Sequence, residues 1–162
     1  MLKNKKMVLK YTTTSMVLEA LGFLLFTAVL VFAVSRYPGA PELVPNNYTL
    51  SGEIIDWAGR EASLIHCILA VFMYIIFTGL GTILRRISPH NNEHSALGTT
   101  LLALLLIKAV YMVSALLKTH YSMSALPMPT WAVLVLPAST ALIILGTVFV
   151  IYTKHTRKTC KA

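Results

Sequence analysis

Three ionisable side chains, Glu19, His66 and Lys108, lie inside stretches that are otherwise apolar. A lone charge near the middle of a bilayer costs roughly 2.5–3.5 kcal/mol on insertion scales, so each should face a bundle interior or a polar cavity. Glu19 and Lys108 sit about two and three turns from the same end of their stretches, and at about 1.5 Å per residue a lysine stem can span the difference in depth. The spacing predicts a Glu19–Lys108 contact between the first and third stretches. Such a pair either orders the bundle or belongs to a proton or ion relay; without it, Glu19 would snorkel to the interface. His66 reads as an interfacial histidine, because the nearest carboxylates in sequence (Glu53, Asp56, Glu61) follow no metal-ligand spacing. His90 and His94 flank Glu93 in a Pro/Asn/Ser turn, where four-residue spacing no longer implies a shared helix face, so no metal site is assigned. There is no Gly-x-Ser-x-Gly, His-Glu-x-x-His or glycine-rich phosphate loop. No catalytic residue and no cofactor are therefore assigned, and an enzyme is the least supported class.

The elements that must hold these residues are readable from hydropathy. The 162-residue chain is 56% hydrophobic and only 12% charged, about half the charge of a soluble domain. Four apolar runs, at 14–34, 62–84, 97–117 and 131–152, each reach the ~20 residues that cross a hydrocarbon core. They predict an all-α, polytopic membrane protein, a single four-helix bundle with helices at about 13–35, 61–85, 97–118 and 129–152. Ten Lys/Arg flank one side (tails 1–12 and 153–162, plus Arg85 and Arg86) against Arg36, Arg60 and Lys118 on the other. By the positive-inside rule both termini are expected in the cytoplasm and the long 36–60 loop outside, in a cell membrane. The basic arm before the first run suits a signal peptide, but the run exceeds the h-region length and no clean A-x-A site follows. Cys67 and Cys160 fall at opposite faces and predict no disulfide. Pro137 is expected to kink the fourth helix, with Ser139 and Thr140 bonding the freed carbonyls.

The segment 37–61 is the one long polar stretch, with three of the seven prolines, three of the eight glycines and four of the six acidic residues. Its prolines bias 40–45 toward extended backbone. Residues 50–53 read as a turn in which Gly52 supplies a positive φ. Trp57 suits the headgroup level, and Asp56 is a candidate cap for the second helix. Asn47-Tyr48-Thr49 matches an N-glycosylation acceptor.

In order and spacing this segment resembles a bacterial and archaeal family that forms the N-terminal part of SdpI-like immunity proteins. The family's loop runs roughly Leu-Pro-x-x-Ile-Pro-x-His-Phe-Asn-x-x-Gly-x-x-Asp-x-x-Gly-x-Lys. Pro41, Pro45, Gly52, Asp56 and Gly59 fall on its prolines, glycines and aspartate; Val44, Tyr48 and Arg60 are conservative matches. Asn47 and Thr49 replace the family's His and Asn, which removes its most plausible ligand or proton-transfer group. The resemblance spans about 25 residues and implies a non-enzymatic immunity or signal-transducing protein. On that expectation Pro41, Pro45, Asn47, Tyr48, Gly52, Asp56, Trp57, Gly59 and Arg60 shape an external surface that recognises a peptide or partner protein. The basic tails would meet lipid or a cytoplasmic protein; scattered in short flanks, they do not suit nucleic acid. The competing expectation is a small transporter or channel-like protein using Glu19 and Lys108, or an accessory subunit of a membrane complex.

Overall fold

The computed structural model describes residues 13–87 and 96–159. The basic arm, the His90/His94 turn and Cys160 lie outside the described residues. Helix α1 (Thr13–Arg36) leads through a 3-10 turn at Tyr37–Gly39 into two strands, β1 (Leu43–Tyr48) and β2 (Ile54–Gly59). Helices α2 (Ala62–Ile87), α3 (Ala96–Met123) and α4 (Thr130–Thr159) follow. All four helices are long and apolar enough to cross a membrane. The chain is thus a polytopic four-helix bundle, with a hairpin at one end and the described chain ends at the other.

α3 is the central helix: α1, α2 and α4 all pack on it, α1 and α2 touch each other less, and α4 packs mainly on α3. Among its buried positions, Leu101, Leu105, Lys108, Met112, Ala115, Thr119 and Ser122 form one row. They alternate steps of four and three, the seam of a left-handed helix pair. Small residues meet this seam, Gly22 from α1 and Ala70 and Gly81 from α2. Apolar surface drives no helix association in lipid, so close approach through small residues and interhelical hydrogen bonds must do so. Val29, Ala70, Met112 and Ala115 form the apolar core, and Leu101 and Leu105 a second cluster toward the described chain ends. The most apolar stretch of α4 has no buried residue.

Three details differ from expectation. The long loop is an antiparallel hairpin, Leu43 facing Gly59 and Tyr48 facing Ile54, with a register shift around Asn46. Pro45 offers no backbone donor, which suits a strand position beside such a bulge. α3 continues to Met123, past the expected stop near 118, because nothing in 119–123 breaks a helix. It ends where Ala125 takes φ 52°, with Leu126 N–H bonded to the Tyr121 carbonyl and Ala125 N–H to that of Ser122, a Schellman closure. α4 runs unbroken through Pro137. Among the described residues Thr140 Oγ1 has no hydrogen-bond partner, so this hydroxyl does not bond the freed carbonyls as expected.

Candidate functional site

Two polar regions are candidates. The first is the Glu19–Lys108 pair. Lys108 is wholly buried, and its Nζ lies 2.5 Å from Glu19 Oε2. It also reaches Thr78 Oγ1 at 3.4 Å and stands 4.7 Å above the Tyr74 ring. Phe26 stacks on Tyr74, with ring centroids 4.3 Å apart. The second carboxylate oxygen of Glu19 accepts from Arg85 Nη2 at 3.2 Å. Helices α1, α2 and α3 therefore each supply one charged group. Gly22, one turn from Glu19, makes room for the lysine: a Cβ there would fall 2.7 Å from Lys108 Cε.

Sequence reasoning found the pair but not Arg85, which reads as an ordinary positive-inside residue at a helix end. A signal was present, because Tyr74, Thr78 and Arg85 share one α2 face with Ser63 and Cys67 at steps of four and seven. A chemically mixed, unusually polar stripe on a membrane helix marks a bundle-facing side.

The second region is the hairpin. It is fastened from behind to the α3–α4 connection. Ser122 Oγ donates to the Pro45 carbonyl at 2.9 Å, Thr130 Oγ1 to the Ser51 carbonyl at 3.0 Å, and Met128 N–H to the Gly52 carbonyl at 3.0 Å. Gly52 has φ 91°, and a Cβ there would lie 1.6 Å from the Met128 oxygen. The tyrosine hydroxyl of Tyr48 donates to the Leu126 carbonyl at 3.5 Å, and burial pushes this phenol up to about 12. Within the hairpin, Asp56 Oδ2 accepts from the side-chain amides of Asn46 and Asn47 at 3.1 and 3.3 Å. Thr49 Oγ1 closes the turn by accepting the Glu53 N–H at 3.0 Å.

These contacts divide the expected surface residues. Pro45 and Gly52 are buried, and Tyr48 and Asp56 partly so, in holding the hairpin together. Pro41, Asn47, Trp57, Gly59 and Arg60 are exposed, Arg60 over the Tyr37 ring at 5.7 Å. Asp56 does not cap α2. It lies inside β2, and the first turn of α2 is closed instead by the carbonyls of Arg60 and Glu61. Asn47 is an amide donor to Asp56. His66 stands apart from both regions, in a small cleft with Lys118, Ser114 and Tyr111. No group of three or more metal-ligating side chains occurs among the described residues.

No protein-family model, curated protein or solved structure matches this chain.

Proposed function

We propose that this chain is a non-enzymatic, multi-pass cell-membrane protein that recognises an external peptide or partner protein at its hairpin, in the manner of SdpI-like immunity and signalling proteins. Both termini are then cytoplasmic, consistent with the basic residues gathered on their side of the membrane. One observation carries the reading: the hairpin is bonded to the bundle along one side while the other presents bulky apolar groups. Leu43, Leu50, Ile55 and Trp57 are all more than half exposed, with the exposed carboxylates of Glu42, Glu53 and Glu61 around them. Fixing a surface before its partner arrives reduces the ordering cost of binding, and exposed aromatics on such a surface commonly supply its energetic centre. A signal has a direct route inward, because Ser122 and Met128 join the hairpin to the central helix and to the start of α4.

The test is pull-down or toxin protection in the producing host. Trp57→Ala should weaken recognition at least about tenfold, the order expected for an aromatic anchor, while Glu19→Gln leaves it intact once folded protein is normalised. Full recognition by Trp57→Ala and Ile55→Ala alike would sink the proposal.

A second reading, proton or ion transport, is favoured by a specific arrangement: wholly buried Lys108 shares Glu19 with Arg85. It predicts the reverse pattern in proteoliposomes, with flux lost in Glu19→Gln and retained in Trp57→Ala.

A further inference from the structure

The cleft around His66 belongs to neither region described above. It holds about 50 Å³ and lies against α3 between α2 and α4, two helices that both pack on α3 and hardly on each other. Its polar lining is His66 from α2 with Tyr111, Ser114 and Lys118 from α3; Leu69 and Leu136 supply apolar walls. His66, Lys118 and Leu136 lie four to six residues in from the hairpin-side ends of their helices, so the cleft sits roughly 6–9 Å below them, at about 1.5 Å per residue. That is the level of the polar headgroups and the upper acyl region.

The groups here are of one kind. Lys118 brings a positive charge, His66 a ring N–H donor, and Ser114 and Tyr111 hydroxyl donors. No carboxylate lines the cleft. Ser114 is only 3% exposed, and it lines the cleft wall. Lys118 has no carboxylate beside it among the residues that line the cleft. An anion with several acceptor oxygens would meet all of these donors at once. The volume suits a small oxyanion and is too small for a folded ligand, and the gap between α2 and α4 offers lateral entry from the lipid.

We propose that this cleft is a phosphate-type oxyanion site, with Lys118, His66 and Ser114 as the donors and Tyr111 at its rim. The phosphate comes either from an anionic phospholipid headgroup entering between α2 and α4 or from free inorganic phosphate.

The experiment uses the full chain in nanodiscs. Retention of phosphatidylglycerol against phosphatidylcholine is read by native mass spectrometry, and the unfolding midpoint is read with inorganic phosphate against chloride at equal ionic strength. Phosphatidylglycerol should be retained about tenfold over phosphatidylcholine, the effect of one charge-assisted hydrogen bond. Lys118→Gln and the near-isosteric Ser114→Ala should each erase that preference. Arg36→Gln, which removes an exposed cation at the same end of the bundle, should keep it. A midpoint raised by phosphate without a lipid preference, and abolished by the same two variants, assigns the site to the free anion. Absence of both effects, or effects that survive Lys118→Gln and Ser114→Ala in chains of native helicity, overturns the proposal.

Discussion

At the chain-end side of the bundle, two cations, Arg85 from α2 and Lys108 from α3, converge on the Glu19 carboxylate of α1. At the hairpin side, the polar groups being secured are mainly backbone carbonyls, and hydroxyls and amides from α3, α4 and their connection secure them. Depth explains the difference. Within the apolar zone the helical backbone is already satisfied by its own hydrogen bonds, so only side chains need partners, and a charge needs an opposite charge. At the hairpin end, the carbonyls of Pro45, Ser51 and Gly52 lie in the bulge and turn, and neutral donors are sufficient for them. The first region therefore ties the three helices together as a unit. The second attaches an appendage that can come loose without the bundle opening.

The sharpest way to break this contrast is to remove the shared carboxylate. Glu19→Gln takes from both Lys108 and Arg85 the anion they bond, and should lower bundle stability by about 3 kcal/mol, the scale for a buried charge losing its partner. Lys108→Met placed on top should restore part of the loss, because the stranded ammonium is then gone. Detergent-micelle unfolding of the two single variants and the double variant gives the coupling; strict additivity would show that the pair is incidental. Gly52→Ala should act differently. Its Cβ cannot coexist with the Met128 oxygen, so the hairpin should detach. Hydrogen exchange of the β1 and β2 amides should speed up by about 2 kcal/mol of local opening free energy, while the α1–α3 seam keeps its protection. Loss of protection throughout the bundle would erase the distinction between the regions.

Tyr48 offers a milder probe of the same attachment. Its phenol titrates normally near 10 and is raised to about 12 here by burial, so the neutral form is the one the fold favours. Its contribution to hairpin docking is complete below pH 10 and is lost as pH rises from there through 12. Tyrosinate absorbance should show a late-titrating component that shrinks by one phenol in Tyr48→Phe. A normal titration of all tyrosines would contradict the buried contact.

How much of this was legible beforehand follows the same division by depth. The four spans and the Glu19–Lys108 contact were legible because a bilayer makes length and isolated charge expensive, and both are properties of sequence. Arg85 was hidden because a basic residue at a helix end has a sufficient explanation in topology. At the hairpin, Gly52 announced its positive φ. The pairing of 43–48 with 54–59 did not announce itself, because β1 carries a proline and a bulge and shows no clean alternation. Asp56 looked like a helix cap only while β2 was unseen. The partners of the hairpin, Ser122, Met128 and Thr130, lie some 70 to 80 positions away, and no local pattern encodes such a contact. The cleft at His66 was half legible: the histidine stood out, whereas Ser114 and Lys118 join it only because α2 and α3 lie side by side.

The smallest effect expected is a gain. Ala125 holds φ 52° at the end of α3, where the Schellman closure places a residue in left-handed backbone. Alanine pays a steric penalty there that glycine does not. Ala125 also precedes Leu126, whose carbonyl accepts from Tyr48, so this turn is part of what the hairpin docks against. Ala125→Gly should relieve the strain while keeping both closing hydrogen bonds, and should stabilise by about 0.5–1 kcal/mol, less whatever the freer unfolded chain takes back. Because the strain is local to the α3–α4 turn, the gain should appear as slower exchange at Leu126, Met128 and the hairpin amides, with the Glu19–Lys108–Arg85 region unchanged. A destabilised turn in that variant would mean that the left-handed residue is held by packing of its methyl group and not merely tolerated.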